Sequence, residues 1–387
     1  MSEQHHSLQS KSSFEPNFAA YIGIDWSDRK HDICLYDVHT QSRTFLKLEH
    51  RAEVIHEWVA SLQQQYEGRP IAIGLEQKRG PLIYALSQYD FLVLYPINPR
   101  TAAKYRQAFV PSRAKDDPTD AELLLELLCK HRDKLSPWEP DSNTLRQLRQ
   151  LVESRRTLVG EKVRLTNRMT AALKNYYPQV LNWFKDKDTH VFCEFVAQYP
   201  TLKVAQAASE HELRAFFKSH HVVRESAIQR RLNQIQTDVP LTEDASIIEP
   251  LQLLVQAWMQ QLKVVLRNLQ TFDHRIEDLF EQHPDAALFK ALPGAGPQLA
   301  PRILVAFGDD RDRYQSAQDI LRYAGIAPVK EKSGKKEWIH WRWSCPKFLR
   351  QTFVEWATSR GSIPFGRRRF MSNNDGLGKP IPWRFAP

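Results

Sequence analysis

Short apolar segments alternate with amphipathic ones over the first third of the chain. Segments rich in β-branched and aromatic residues predict strands at Tyr21–Ile24, Ile33–Tyr36, Ile71–Leu75 and Phe91–Tyr95. Apolar residues at helical spacing predict helices at Glu53–Gln63, Pro81–Gln88 and Ala121–Lys130, and the Asn98-Pro99 step predicts a further helix start. This order is typical of a mixed α/β sheet, which we expect over residues 19–135.

Apolar residues recur with a heptad spacing within residues 136–284. One heptad seam runs from Leu148 to Tyr176, and a second runs from Val255 to Leu279. Two such segments, separated by a smaller helical insert, predict two long helices in an antiparallel coiled-coil arm. The first segment carries clustered cations, and its candidate nucleic-acid contacts are Arg146, Arg149, Arg155 and Arg156. Such a helix can follow a phosphate backbone, although a solvated cationic surface gives the same pattern.

Residues 285–360 predict a small, mostly helical domain. Gly294 and Gly296 precede a predicted helix from Gln298 to Phe307, where they either offer backbone N–H groups to a phosphate or form a plain turn. Further on, four aromatic residues alternate with basic ones in Trp338–Arg350. The basic residues that we consider as nucleic-acid contacts here are Lys335, Lys336, Arg342, Lys347 and Arg350. The tryptophans either stack on unpaired bases or pack in the core of a strand.

Composition narrows the class of partner. The chain has 387 residues and a formal net charge of +9, which favours a polyanionic partner. Its four cysteines have no paired spacing, which excludes a CxxC-type zinc site and suits a reducing cytoplasm. We expect residues 1–18 to be a disordered tail and not a signal peptide. Because no apolar run is long enough to span a bilayer, we expect no membrane partner.

Four carboxylates occupy the ends of predicted strands and a helix start. Asp25 closes the first strand, Glu76 closes the third, and Asp117 and Asp120 lie one helical turn apart. Mg²⁺ and Mn²⁺ prefer such all-oxygen sites, and paired ions ~4 Å apart are common in phosphodiester chemistry. Each acid alone is also explained as a turn residue, or as a helix cap. Together, in this order, they indicate a metal-dependent enzyme that acts on nucleic acid.

Ser333 is the second candidate for chemistry. It stands between lysines and a glycine on a predicted loop, and a serine can attack phosphorus where cations stabilise the developing charge. An ordinary Ser-Gly turn is the alternative. Ser344 is a rival nucleophile in a less open setting.

Taken together, these motifs resemble the DEDD transposases of the insertion-sequence 110 family, in particular its 1111 subgroup. The resemblance is carried by Gly23–Ser27, Glu76, Lys115–Ala121, the stretch from Leu292 to Gly334, and Trp341–Gln351. It implies a RuvC-like, ribonuclease-H-type domain in which Asp25, Glu76, Asp117 and Asp120 bind Mg²⁺ or Mn²⁺. It also implies a C-terminal transposase domain, at residues 285–360, with Ser333 as nucleophile.

The resemblance further implies partners. Members of the family are thought to form dimers or tetramers through coiled coils, combining the two sites across subunits, and a bridge or seeker RNA pairs with donor and target DNA. We therefore predict an RNA-guided DNA transposase in the bacterial cytoplasm that cuts and rejoins strands through Ser333. The alternatives are a RuvC-like nuclease that does not need Ser333, and an inactive remnant that binds nucleic acid. A sugar kinase is disfavoured by the missing second phosphate loop.

One segment departs from the family pattern. Residues 361–387 form a basic tail rich in glycine and proline, where relatives continue with a helix. Glycine and proline disfavour that helix, so we expect a truncated or frame-shifted end.

Overall fold

The computed structural model describes residues 17–77, 79–109, 117–312, 314–334, 336–342 and 345–360, without the side chains of Asp117, Pro118 and Arg360. The chain divides into two compact units, Met1–Pro140 and Asp141–Pro387. The predicted basic tail and nearly all of the predicted N-terminal tail lie outside the described residues. In the part of the chain that the structure describes, no helix combines the length and apolar character needed to cross a membrane.

The first unit is built on a five-stranded mixed sheet. Its strands are β1 Ala20–Asp25, β2 Lys30–Asp37, β3 Arg43–Glu49, β4 Ile71–Leu75 and β5 Leu92–Pro96. They lie in the order β3-β2-β1-β4-β5, with β1, β4 and β5 parallel to one another and β2 antiparallel to both of its neighbours. The helices are α1 Ala52–Gln65, α2 Pro81–Leu86, α3 Pro99–Phe109 and α4 Asp117–His131, and a 3-10 turn spans Arg132–Lys134. The predicted α/β class is confirmed, and the architecture is consistent with a RuvC-like domain.

The predicted strands and helices of this unit are confirmed, with ends that shift by a few residues. Strand β3 was not predicted. It forms the edge of the sheet, and Leu48 is its one buried residue, so it lacks the apolar run that marks the inner strands.

Two glycines let helix α4 lie directly against the sheet. A Cβ atom at Gly23 would stand 2.1 Å from the Ala121 carbonyl oxygen and 2.5 Å from the Leu125 backbone nitrogen. A Cβ atom at Gly74 would stand 3.2 Å from the Leu124 carbonyl oxygen. Because no side chain fits between β1 and the helix backbone, glycine at Gly23 is a requirement of this packing.

Helix α4 runs opposite to β1. Its first turns contact Gly23, near the end of β1, whereas Leu128 packs with Phe18 and Ala72 at the beginning of the sheet. The amino terminus of α4 therefore lies at the edge where β1 and β4 end. Any acid in the first turn of α4 is brought to the same edge as the acids that close those strands.

The second unit is helical with one β-hairpin. Its helices are α5 Asn143–Tyr176, α6 Gln179–Trp183, α7 His190–Gln198, α8 Leu202–Ala207, α9 Glu210–Ser219, α10 Glu225–Thr237, α11 Ala245–Glu281, α12 Ala286–Lys290, α13 Leu299–Phe307, α14 Ala317–Tyr323 and α15 Lys347–Arg360. The hairpin pairs β6 Val329–Ser333 with β7 Lys336–His340. The predicted helical C-terminal region is confirmed.

The long helices α5 and α11 pack against each other in antiparallel fashion. Leu148, near the start of α5, shares a core with Ile276 and Leu279 near the end of α11. Met169, near the end of α5, shares a core with Met259 in the first half of α11. Helices α6 to α10 form the insert between them and complete this second core. Two long antiparallel helices were predicted, and coiled-coil winding of the pair stays a prediction.

Candidate active site

Three of the four predicted acids come to the same edge of the sheet. Asp25 ends β1 and Glu76 directly follows β4, each two residues beyond a glycine that faces α4. Because side chains alternate along a strand, both acids are directed to the α4 side of the sheet. Asp120 lies in the first turn of α4 and is buried, whereas Asp25 and Glu76 are half-buried. Asp117 begins α4, and its side chain lies outside the described residues.

An arginine supplies the positive charge next to the buried acid. Arg106, on α3, places Nη2 2.5 Å from Oδ1 of Asp120. The side chains are 23% and 6% exposed, so the pair is largely removed from solvent. A buried carboxylate needs such a partner to offset its lost hydration. Sequence reasoning missed Arg106, because its role depends on how α3 packs on α4 and no local motif marks it.

A fifth acid stands opposite Asp25. Asp32 of β2 is its register partner in the antiparallel β1–β2 pair, and directly opposed residues project on the same face of a sheet. Asp32 is 6% exposed, and the Lys47 ammonium lies 3.8 Å from its Oδ1. The sequence offered a weak signal for Asp32, namely an acid that directly precedes the apolar run of a strand. It was not among the predicted site residues.

A metal at this edge has to be judged by the donors present. In the described ranges, no three His, Cys, Asp or Glu side chains lie close enough together to hold a metal ion. The donors along this edge, Asp25, Glu76 and Asp120, carry carboxylate oxygens, which suit a hard divalent cation and not a soft one. Asp117 would add a further carboxylate from the same helical turn as Asp120. The chemistry of the donor set therefore fits Mg²⁺ or Mn²⁺.

Two histidines fix the turn that follows Asp25. The backbone N–H of Ser27 donates to Nδ1 of His31 over 3.3 Å, and His31 Nε2 lies 3.0 Å from Nδ1 of His50. Burial, and secondarily the charge of His50, lower the pKa of His31 to about 4. His31 is therefore neutral near pH 7, and since Nδ1 accepts, its Nε2–H donates to His50. The indole of Trp26 stacks on the His31 ring.

The structure places Ser333 at the end of a strand and not in the predicted loop. It is the last residue of β6, directly before Gly334, whose φ of +59° makes the hairpin turn. The loop was predicted from the Ser-Gly pair, and it is shorter than expected because the residues on either side pair as β6 and β7. Ser333 is exposed, and Lys336 is its register partner across the hairpin. Lys335 and the rival Ser344 lie outside the described residues.

A hydrogen-bonded network fixes the side chains beside Ser333. Glu331 accepts from Trp338 Nε1 through Oε2 over 2.9 Å, and its Oε1 lies 2.9 Å from His340 Nε2. The hydrogen bond to Glu331 raises the pKa of His340. Trp338 and Trp341 are 46% and 45% exposed, so these two tryptophans lie at the surface and do not pack in a core. Trp343 lies outside the described residues.

The basic residues predicted on α5 have different roles. Arg149 contacts Asp141 over 2.6 Å and donates to the Val305 carbonyl over 3.2 Å. Arg155 binds Asp273 through two nitrogens. The charges of Arg149 and Arg155 are therefore paired with carboxylates of the second unit.

The other two arginines predicted as nucleic-acid contacts on α5 are Arg146 and Arg156. Arg146 is exposed and hydrogen-bonds the Asn143 side chain. Arg156 lines a groove of about 530 Å³ formed by α5, α11, α13 and α15.

The glycine loop before α13 is anchored by helix α15. Trp356 Nε1 donates to the Pro293 carbonyl over 2.9 Å, and Ser359 Oγ donates to the Gly294 carbonyl over 3.0 Å. Gly294 has a φ of +77°, and a Cβ atom at Gly296 would meet no atom within 4 Å. Helix α13 begins at Leu299, as the pattern predicted to within one residue.

The remaining predicted contacts lie around the hairpin and the start of α15. Lys336 and Lys347 are exposed, and Arg342 is half-buried. The Arg350 guanidinium lies 5.6 Å from the centre of the Trp341 ring and donates to the Arg342 carbonyl. A cation over an aromatic face stabilises both groups and holds the ring at the surface.

Both units match known transposases. Residues 22–178 match the DEDD transposase profile of the IS110 type, described as "Transposase", and residues 286–369 match the profile described as "Transposase IS116/IS110/IS902 family". The first match spans the acidic edge, and the second spans Ser333 and the hairpin.

Individual relatives are similar over most of the chain or over a short part. The mini-circle transposase assigned to IS117 of Streptomyces coelicolor is 28% identical over 96% of this chain and 85% of its own length. A 44.8 kDa protein of insertion element IS116 from Streptomyces clavuligerus is 22% identical over 82% of this chain and 78% of its own. The pilin gene-inverting protein of Moraxella bovis is 39% identical over 66 residues, which are 16% of this chain and 20% of its own. This chain therefore belongs to the IS116/IS110/IS902 family of transposases, and it is a DNA transposase.

Proposed function

We propose that this transposase cuts and rejoins the DNA of a mobile element through Ser333, with a divalent cation held by Asp25, Glu76, Asp117 and Asp120. The observation that carries the proposal is the presence of three acids, from β1, β4 and α4, at one edge of the sheet. Glycine packing brings the helix start to that edge, so the arrangement follows from the fold itself.

Membership of a DEDD family suggests dependence on a divalent metal. In the proposal, the carboxylates of Asp25, Glu76 and Asp120 provide oxygen ligands, and Asp117 adds a fourth. When bound, Mg²⁺ or Mn²⁺ supplies positive charge that stabilises the phosphate oxygens during strand transfer. Arg106 orients Asp120, and the His31–His50 pair holds the turn after Asp25.

Ser333 makes rejoining possible without an outside energy source. Its Oγ forms a bond to phosphorus while the bond between phosphorus and the leaving strand's oxygen breaks. The serine proton passes through solvent to that oxygen, which leaves as a hydroxyl. A hydroxyl of the incoming strand then attacks the same phosphorus; the bond from phosphorus to Oγ breaks, and Ser333 is released as it regains a proton through solvent. The number of phosphodiester bonds is conserved. The exposure of Ser333 and the ammonium of Lys336 opposite it support this role.

The same proposal includes a guide RNA, a homo-oligomer and the bacterial cytoplasm. The resemblance to the 1111 subgroup supports the first two, and the net charge of +9 suits binding of RNA as well as DNA. All four cysteines are free, which suits a reducing compartment. The Moraxella relative is named for inverting a gene, and inversion also requires DNA to be cut and rejoined.

The test is amplification of the circle junction of the element in cells that carry its native flanks. Wild type, Asp120→Asn and Ser333→Ala are compared at equal protein levels. The proposal predicts junctions from wild type alone. Junctions that survive Ser333→Ala would contradict the serine step. Cleavage without joining, dependent on Asp120 and not on Ser333, would instead indicate a hydrolytic nuclease.

A further inference from the structure

One face of the β-hairpin gathers Ser333 and an exposed tryptophan. In the hairpin register Ser333 opposes Lys336, and Glu331 opposes Trp338. Opposed residues share a face and side chains alternate, so these four side chains lie on one side. Trp338 is therefore the diagonal neighbour of Ser333, a spacing of ~7–8 Å between Cα atoms that aromatic side chains bridge.

A hydrogen bond holds the edge of the Trp338 indole, while the faces of the ring are open. Its indole N–H is bound to Glu331, and Glu331 is in turn bound to His340, whose Nδ1 lies 2.8 Å from the Trp341 carbonyl. In the part of the chain that the structure describes, no ring or cation contacts the face of Trp338. A side chain that is 46% exposed yet oriented by a hydrogen-bond network contributes little to a core. Such a ring suits recognition of a flat ligand.

Charge around the ring selects the class of ligand. Lys330 is paired with Glu337 over 2.9 Å. Lys336 lies on the same face as Trp338, is exposed, and forms no ion pair with any described carboxylate. The Lys336 ammonium beside an open aromatic face matches a nucleic-acid strand, in which phosphates alternate with bases. Bases inside a duplex are covered by their stacked neighbours, so the ligand is an unpaired strand.

We propose that Trp338 stacks on an unpaired nucleobase of the DNA strand held against Ser333. The inference rests on the proposed function, because it names the substrate of the Ser333 step: a strand that is locally open next to the phosphate under attack. Trp338 would then position that phosphate, while Lys336 contacts a neighbouring phosphate.

The inference is tested with a probe that reports on base stacking. An oligothymidylate with one 2-aminopurine and a matched duplex are titrated onto full-length protein in a Ser333→Ala background. We expect Trp338→Leu to weaken single-strand binding about tenfold and to abolish the quenching of 2-aminopurine. Trp338→Phe should retain most of both, since it keeps an aromatic face. Ile339→Ala, on the other face of the same strand and 58% exposed, is the matched control and should bind as the parent does.

Two outcomes would overturn the inference. If Trp338→Leu binds and quenches as the parent does, Trp338 does not stack on a base. If Trp338→Leu weakens single-strand and duplex binding equally, the tryptophan serves the fold of the hairpin and not the recognition of an open strand. A failure of the proposed function gives a different result. Circle junctions would then survive Ser333→Ala, while Trp338 would still quench 2-aminopurine.

Discussion

At the scale of single residues, the acidic edge depends on partners that no motif reveals. The spacing of Asp120 to Asp117 marks it as a candidate site residue, yet its buried contact with Arg106 arises only when α3 packs on α4. Asp32 is likewise brought opposite Asp25 by strand register. Sequence patterns identify acids at strand ends, because position within an element is local. They do not identify partners that come from other elements.

Replacing Arg106 with glutamine should lower the free energy of unfolding of the first unit by about 3 kcal/mol, because the buried carboxyl of Asp120 would lose the arginine that offsets its lost hydration. Urea unfolding measures this loss. The control is Arg43→Gln, whose ion pair with Glu122 is exposed and should be worth less than about 1 kcal/mol. If Asp120 binds a metal, Mn²⁺ should raise the Tm of Arg106→Gln more than that of wild type. Equal losses for both arginine variants would contradict this view of the site.

His31 should make stability depend on pH. Its pKa is lowered to about 4 from an ordinary 6.5, so between these values the unfolded chain binds a proton that the folded chain does not. Stability contributed by neutral His31 is therefore complete above pH 6.5 and is lost as the pH falls toward 4. The loss should reach about 3 kcal/mol. Urea titrations across this pH range measure how the free energy of unfolding changes with pH. That change should be smaller for His31→Asn, which keeps an acceptor for the Ser27 N–H. The same pH dependence in wild type and His31→Asn would rule His31 out as the cause.

At the scale of elements, periodicity predicts what is buried and fails where burial is partial. The second heptad seam identified the inner face of α11, and its positions from Val255 to Leu279 are buried or half-buried. Strand β3 was not predicted, and Ser333 was predicted in a loop and not in a strand of the hairpin. Both elements are mostly exposed and lack the apolar run that marks a buried strand. The contact of α4 with the sheet could not be predicted either, because a glycine in a strand does not indicate which helix packs against it.

That contact can be tested with Gly23→Ala. The added methyl would collide with the backbone of α4 and must push the helix away from β1, so we expect a loss of about 3 kcal/mol in unfolding free energy. Strand transfer should fall with it, because Asp120 moves with the helix. Gly160→Ala is the comparison: it lies within α5 and its Cβ would meet only the Arg164 side chain at 3.5 Å. It should stabilise the protein by up to about 1 kcal/mol. If Gly23→Ala lowers the free energy of unfolding only slightly, α4 can move away from β1 without destabilising the protein.

At the scale of the whole molecule, the order of motifs along the chain identifies the enzyme class. Net charge excluded few possibilities, whereas the order of acids and the resemblance of the C-terminal motifs indicated a transposase, which the family matches confirm. The chemical roles of Ser333 and of the acids are proposals: Ser333 belongs to the second unit, and the four acids belong to the first. In the proposed function, both sets of residues take part in one strand-transfer reaction.

The most direct measurement is therefore the capture of the covalent bond itself. Full-length protein would be incubated with end-labelled element DNA and Mg²⁺, denatured, digested with protease and nuclease, and analysed by mass spectrometry. The account predicts a nucleotide phosphate attached to Ser333 in wild type, and no adduct with Ser333→Ala or Asp120→Asn. Joined DNA products without any adduct at Ser333, or an adduct at another residue that persists in Ser333→Ala, would contradict it.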